Sequence, residues 1–164
     1  MIYGVQIRGP TFETPRRVAT STWTDVALRY LLDTNVLSEP MRPEPDPEVM
    51  NRIAAAGDTI ATASPVWHEI EFGRLRLAAG KRRRAIETII DALARVLVIL
   101  PYDGSAAAWH ARERARLGRL GKPPPFVDGQ IAAIAAVNKL VLVTRNLRDF
   151  SGFTGLEIES WFGA

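Results

Sequence analysis

The amino-acid sequence predicts an α/β fold in three layers, in which a mainly parallel central sheet is flanked by helices. Short apolar runs of strand length alternate with helical patterns, and this alternation is typical of parallel sheets. The chain has 164 residues, which suits one domain with a substantial buried core. We predict that residues 30–164 form this domain. Residues 1–29 are rich in Thr, Pro and Arg, and we expect them to be an N-terminal extension of uncertain structure.

The first half of the domain begins with a buried strand at residues 31–32. Asp46 followed by Pro47 is typical of a helix N-cap and the first helical residue, and Ser64 followed by Pro65 repeats the signal. In chain order the pattern predicts a helix from 46 to about 55, a strand at 59–62, a helix from 64 to about 79, a basic helix at 81–95 and a strand at 96–100.

The second half follows the same alternation. Asp103 is the predicted cap of a long helix that ends near residues 118–121. Three prolines at 123–125 then force an extended connection, because proline fixes its own backbone and restricts the residue before it. An Ala-rich helix is predicted at 126–138, a strand at 140–143, and a short terminal segment at 156–161.

Composition and charge exclude several classes of protein. The chain contains no Cys, which rules out a disulfide framework and a thiolate metal site and fits a reducing cytoplasm, where we expect this protein to act. No apolar run reaches the length of a membrane span, so no membrane association is expected. The net charge of +3, with 21 Lys and Arg residues, permits a polyanionic partner without requiring one.

Two carboxylates follow the ends of predicted strands. Asp33 comes directly after the first strand, and Asp149 comes shortly after the strand at 140–143. Ligand-handling groups in open parallel sheets lie just beyond the carboxyl ends of strands, so both are candidates for a binding site. The alternative for Asp149 is a turn-stabilising role or an ion pair with Arg145 or Arg148.

Two further carboxylates lie early on predicted helices. Glu69 shares a helix face with apolar and small residues, including Phe72 and Gly73, which predicts that it faces inward. Its alternative is an ion pair with Arg76. Asp128 lies in the first turn of the Ala-rich helix, where an acid can simply complement the helix dipole.

Taken together, the four acids predict a metal site. Four carboxylates that converge on one sheet edge repel one another unless a multivalent cation neutralises them. Oxygen-only ligands favour hard ions, so we expect Mg²⁺, with Mn²⁺ as an alternative, rather than Zn²⁺. Mg²⁺ held by few carboxylates keeps waters and binds phosphates, which suits metal-assisted cleavage of a phosphodiester bond.

Four segments of the sequence resemble the motifs of PIN-domain ribonucleases of the VapC toxin type. The first is residues 31–39 (Leu-Leu-Asp-Thr-Asn-Val-Leu-Ser-Glu), and the second is residues 64–73, in which an acid precedes a glycine by four positions and so selects Glu69 over Glu71. The third is residues 126–135 around Asp128, and the fourth is residues 143–150 with Asp149 in the acidic place. The resemblance extends in order from Tyr30 to about residue 161.

The resemblance implies a PIN-like fold for residues 30–164 and a Mg²⁺-dependent endoribonuclease that acts as the toxin of a toxin–antitoxin pair. It further implies an RNA substrate, a cognate antitoxin protein and a homodimer. The implied catalytic and metal-binding residues are Asp33, Glu69, Asp128 and Asp149. The residues expected to support them are Thr34, Asn35, Thr144 and Asn146.

Cationic side chains near the motifs are candidates for RNA contact, because phosphate binding dominates nucleic-acid affinity. Those singled out are Arg112, Arg116, Arg145 and Arg148. The dense run at residues 81–84 is more typical of a solvated face. No histidine is needed as a general base, so His68 is expected at or near the surface and His110 in a structural role.

Three alternatives remain at this stage. A phosphohydrolase that forms an aspartyl-phosphate would want a second Asp two residues after the first, where this chain has Asn35. A non-catalytic PIN-like binding module is disfavoured by the presence of all four acids. A PIN-domain nuclease in housekeeping RNA processing is less consistent with the small size of the chain.

Overall fold

A computed structural model describes residues 27–163, and within that range the chain forms a five-stranded sheet. The strands are β1 (Tyr30–Leu32), β2 (Ile60–Ala63), β3 (Val98–Leu100), β4 (Val141–Val143) and β5 (Ile158–Glu159). Their order across the sheet is β3-β2-β1-β4-β5, and each of the four pairings is parallel. The predicted α/β architecture with a mainly parallel sheet is therefore confirmed.

Helices surround this sheet, and the five longer ones follow the predicted order, whereas two four-residue helices were not predicted. The helices are α1 (Thr34–Leu37), α2 (Pro47–Ala56), α3 (Ser64–Leu75), α4 (Lys81–Val96), α5 (Gly104–Arg119), α6 (Phe126–Val137) and α7 (Leu147–Phe150). Short 3₁₀ turns at Glu39–Met41 and Gly57–Thr59 lie before and after α2. Within residues 27–163, no helix combines the length and the apolar character that crossing a bilayer requires.

The predicted helix caps were right at two positions and wrong at one. Asp46 accepts hydrogen bonds from the backbone N–H groups at the start of α2, and Asp103 does the same for α5. Ser64, however, is the first helical residue of α3 rather than its cap. Its hydroxyl oxygen instead accepts a hydrogen bond from the backbone N–H of Tyr102 at 3.2 Å. The side chain therefore links α3 to the segment that follows β3.

Several predicted boundaries also differ from the structure, two of them by two residues or more. Helix α3 ends at Leu75 rather than near residue 79, and β3 begins at Val98 rather than residue 96. The second difference arises because Val96 still belongs to α4, and the backbone N–H of Leu97 continues the helical pattern by donating to the carbonyl of Leu93 at 2.8 Å.

The core lies on both faces of the sheet. Leu31, Leu32, Leu142 and Val143 are fully buried, as expected for central strands covered on both sides. The run Ile131–Ala135 in α6 is also buried. Its small side chains let this helix pack closely against the sheet and against α5.

The residue just before β1 is already hydrogen-bonded to neighbouring segments of the chain. The backbone N–H of Arg29 donates to the carbonyl of Thr59, and the Arg29 carbonyl accepts from the N–H of Val141 at 2.9 Å. Arg29 therefore already pairs with the chain on both sides of β1. Most of the predicted extension at 1–29, namely residues 1–26, lies outside the described residues. Residue 164 also lies outside them.

Candidate active site

The strand order places a crevice between β1 and β4. From β1 the chain passes to β2 and β3 on one side of the sheet, whereas β4 and β5 lie on the other side. Ligands of open parallel sheets bind beyond the carboxyl ends of the strands at such a reversal of strand order. Asp33 follows β1 directly and Thr144 follows β4 directly. The topology therefore brings these two residues together.

Asp33 is held in place by hydrogen bonds to both of its carboxylate oxygens. Oδ1 accepts from the backbone N–H of Thr34 at 2.8 Å. Oδ2 accepts from the Thr144 hydroxyl at 2.7 Å and from the Asn35 side-chain amide at 2.9 Å. The side chain is buried, with 7% of Asp33 exposed. A buried carboxylate with three donors is fixed in one orientation, which is what a metal ligand or a catalytic group requires.

Asn35 and Thr144 also join the loops that follow β1 and β4. The Asn35 side-chain oxygen accepts a hydrogen bond from the backbone N–H of Arg145 at 2.9 Å. The Thr144 hydroxyl oxygen accepts from the backbone N–H of Asn146 at 3.1 Å. Each predicted supporting residue therefore lies in one hydrogen-bond network around Asp33. Asn146 takes part through its backbone.

Glu69 reaches the site from α3, but it does not face inward as the sequence pattern suggested. The residue is exposed, and so are Phe72 and Gly73, which were expected to form a buried face beside it. Phe72 instead stacks on His68 at the surface. Glu69 is connected to the site by the Thr34 hydroxyl, which donates to its Oε2 at 2.5 Å.

Asp128 lies half-buried in the first turn of α6, near the other three acids. Burial raises the pKa of Asp128, and the negative charges of Asp33, Asp149 and Glu69 raise it further. Burial likewise raises the pKa of Asp33, the Glu69 charge adds to this, and the hydrogen bonds from Thr144, Thr34 and Asn35 oppose it. The charges of the other three predicted acids therefore all act on Asp128.

The acids do not, however, close into a single coordination sphere. Across residues 27–163, no three His, Cys, Asp or Glu side chains lie close enough together to hold one metal ion. Metal binding by the four acids together therefore stays a prediction. Glu69 and Asp149 are exposed, and like charges oppose closer approach. The all-oxygen donor set fits a hard divalent cation.

A buried contact behind Asp128 was not predicted from the sequence. His110 of α5 is 2% exposed, and its Nδ1 lies 2.9 Å from the Tyr102 hydroxyl. The other ring nitrogen of His110, Nε2, faces Gly129. A Cβ added to Gly129 would lie 2.1 Å from this nitrogen. Gly129 therefore permits the close approach of α6 to α5. The structural role expected for His110 agrees with this burial.

The arginines singled out for RNA contact have different surroundings. Arg116 donates to both carboxylate oxygens of Glu113, at 3.0 and 2.6 Å, and to the carbonyl of Gly152 at 2.7 Å. This guanidinium therefore connects α5 to the segment after α7, which favours a structural role. Arg112, Arg145 and Arg148 are exposed, and their contact with RNA stays a prediction.

Comparison with known proteins identifies the family. The family model described as PIN domain matches residues 30–154. The chain belongs to the PIN-domain family. A relative from Salmonella typhimurium named tRNA(fMet)-specific endonuclease VapC is 31% identical over 134 residues, which cover 82% of this chain and 98% of the relative. This PIN domain is therefore of the VapC type, as its four motifs indicated.

Solved structures agree with that assignment. A chain of FitAB bound to an IR36 DNA fragment superposes on this PIN domain with a TM-score of 0.75 at 27% identity, covering 82% of this chain and 96% of that one. A member of the VapBC family of toxin–antitoxin systems from Mycobacterium tuberculosis gives a TM-score of 0.61 at 27% identity, covering 82% and 98%. The PIN fold is thus confirmed over nearly the whole length of these relatives.

Proposed function

We propose that this PIN domain is a divalent-metal-dependent endoribonuclease that acts as the toxin of a toxin–antitoxin pair. The observation that carries the proposal is the buried Asp33 carboxylate at the strand-order reversal, which is hydrogen-bonded to Thr144 and is linked through Thr34 to Glu69. Negative charge at such a crevice would repel a phosphodiester substrate, so it suits catalysis when a cation is bound there. Nucleases of this family generally depend on a divalent metal ion, and the relative from Salmonella typhimurium is named an endonuclease.

In this proposal Asp33 and at least one of Glu69, Asp128 and Asp149 would hold Mg²⁺, for which Mn²⁺ can substitute. When bound, the ion supplies two effects: it lowers the pKa of a water molecule and neutralises charge that develops on the scissile phosphate. Thr144 and Asn35 hold the Asp33 carboxylate in one orientation, and Thr34 positions Glu69. No histidine transfers a proton, because His68 lies at the surface and His110 is enclosed between α5 and α6.

The test is cleavage of a mixed RNA pool with Mg²⁺ or Mn²⁺, in the presence and absence of EDTA, with the new ends mapped. Hydrolysis by water leaves no 2′,3′-cyclic phosphate, so such ends would contradict the mechanism. Glu69→Gln should abolish cleavage. Glu71→Gln is the matched control, because Glu71 lies two residues away on the same helix and pairs with Arg74 at 2.6 Å. Equal loss in both variants, or cleavage that persists in EDTA, would refute the assignment.

We also propose an RNA substrate, a cognate antitoxin and a homodimer. Support for the antitoxin comes from the Mycobacterium tuberculosis relative, which is a member of the VapBC family of toxin–antitoxin systems. Large apolar side chains are exposed on α3, where Phe72 is 53% and Leu75 is 64% exposed, and these suit a protein interface. Growth arrest on expression of the wild type, but not of the Glu69→Gln variant, would distinguish a toxin from a housekeeping nuclease.

A further inference from the structure

A groove with a volume of about 370 Å³ opens beside the acidic site. It is lined by α1 and the segment that follows it, by the N-terminal part of α4 and by the loop after β4. The lining residues are Asn35, Ser38, Met41, Arg42, Pro43, Arg82, Ile86 and Arg145. Three of these eight side chains are arginines and none is acidic, so the groove is a concave surface of positive charge.

The three arginines are held differently. Nη1 of Arg42 lies 3.3 Å from the buried carboxylate of Glu39, and this ion pair orients the Arg42 guanidinium. The Arg145 guanidinium lies 4.9 Å from the centre of the Phe162 ring. Arg82 is exposed and has no ion pair within residues 27–163. Two arginines are therefore oriented by neighbours, and the third is available for a ligand.

The groove is continuous with the acidic site through Asn35. The amide of this residue donates to Asp33, and its oxygen accepts from the backbone N–H of Arg145. A ligand that occupied both regions would pass from three guanidinium groups to four carboxylates within one continuous surface. An RNA strand has the matching chemistry, because its backbone carries one negative charge per nucleotide and only one phosphate needs to enter the metal-binding region.

We propose that this arginine groove binds the sugar–phosphate backbone of the RNA strand next to the bond that is cleaved. Arg42, Arg82 and Arg145 contact consecutive phosphates, and Asn35 separates these contacts from the reacting phosphate. The inference rests on the proposed nuclease function and deepens it, because it names the surface that positions the substrate. It also gives Arg145 a specific partner and adds two arginines to the predicted RNA-contact residues.

The test measures how salt affects the binding of a short fluorescein-labelled single-stranded RNA of mixed sequence, in EDTA to prevent cleavage. Each phosphate contact to a single strand contributes about 0.7 to the slope of log K against log salt. Arg82→Ala should therefore reduce the slope by about 0.7, and Arg82→Ala with Arg145→Ala by about 1.4. Arg42 is left intact, because removing it would leave the buried Glu39 carboxylate without its cation.

Arg84→Ala is the matched control, since it removes the same charge from the same helix at an exposed position outside the groove. Its slope should equal that of the wild type, and a loss equal to that of Arg82→Ala would overturn the proposal. An unchanged slope in the Arg82 and Arg145 variants would also overturn the proposal. If those variants then failed to capture the antitoxin, the groove would be a protein-binding site instead.

Cleavage by the wild type in Mg²⁺ is measured in parallel. Cleavage with unchanged salt slopes would refute the groove and leave the nuclease intact. A wild type that neither binds nor cleaves RNA would refute both.

Discussion

Gly129 is the position at which the smallest substitution should disturb the site most. In Gly129→Ala the new Cβ would lie 2.1 Å from Nε2, 2.7 Å from Cδ2 and 2.9 Å from Cε1 of His110. The imidazole ring cannot turn away freely, because its Nδ1 is paired with the Tyr102 hydroxyl at 2.9 Å and the Phe126 ring packs on it at 5.0 Å. Either the ring or the start of α6 must move.

The size of the effect follows from that geometry. A Cβ atom essentially never lies closer than 3.0 Å to a non-bonded heavy atom, so the ring and the helix must separate by about 1 Å. Overpacking of this kind costs about 1–3 kcal/mol. That is a large part of a total stability of about 5–15 kcal/mol. If α6 moves, Asp128 moves with it, and a displacement of about 1 Å in a catalytic group can lower the rate about 100-fold.

The assay is urea unfolding combined with RNA cleavage under conditions where each variant is folded. Gly118→Ala is the control, because it is also helical and an added Cβ there meets nothing within 4 Å. It should leave stability unchanged or raise it by up to about 1 kcal/mol. His110→Ala should relieve the clash, so the double variant should show a favourable coupling of at least about 0.5 kcal/mol. Additive effects, or a harmless Gly129→Ala, would refute the reasoning.

Three further outcomes are expected. Asp128→Asn should lower cleavage at least about 100-fold. It should also raise the unfolding free energy at pH 7 in EDTA, because burial and the neighbouring acids raise the Asp128 pKa and folding therefore disfavours its ionised form. A variant less stable than the wild type would contradict this. Thr144→Val should cost about 1–3 kcal/mol in urea unfolding because the buried Asp33 Oδ2 loses one of its two donors, whereas Thr144→Ser should retain most of that energy. Burial and the Arg114 charge lower the His110 pKa, so stability should fall as the pH drops below the ordinary value of 6.5, and His110→Gln should flatten this dependence.

The features that local pattern determines were predictable from the sequence. Asp33 ends an apolar run, and parallel strands place such residues at one edge of the sheet whatever the details of packing. Asp46 and Asp103 cap their helices because a cap needs only the backbone of the next few residues. The Ala-rich composition of residues 126–138 similarly predicted a helix, and α6 is found there.

The features that depend on distant residues could not be predicted. Ser64 had a strong local signal for a cap, but the backbone N–H of Tyr102 competes for its hydroxyl oxygen from another part of the chain. The face shared by Glu69 and Phe72 was read as buried because apolar periodicity usually indicates the core, yet Phe72 lies at the surface beside His68. The contact between Gly129 and a histidine on another helix leaves no periodic signal at all.

The most direct test of the central claim is a crystal structure of this protein soaked with Mn²⁺, analysed by anomalous scattering. The claim is that the acids Asp33, Glu69, Asp128 and Asp149 form one cation-binding site. An anomalous peak should lie within coordination distance of Asp33 and of at least one of Glu69, Asp128 and Asp149, and it should be absent in Asp33→Asn. A peak elsewhere, or none in crystals of protein that cleaves RNA with Mn²⁺ in solution, would contradict the claim.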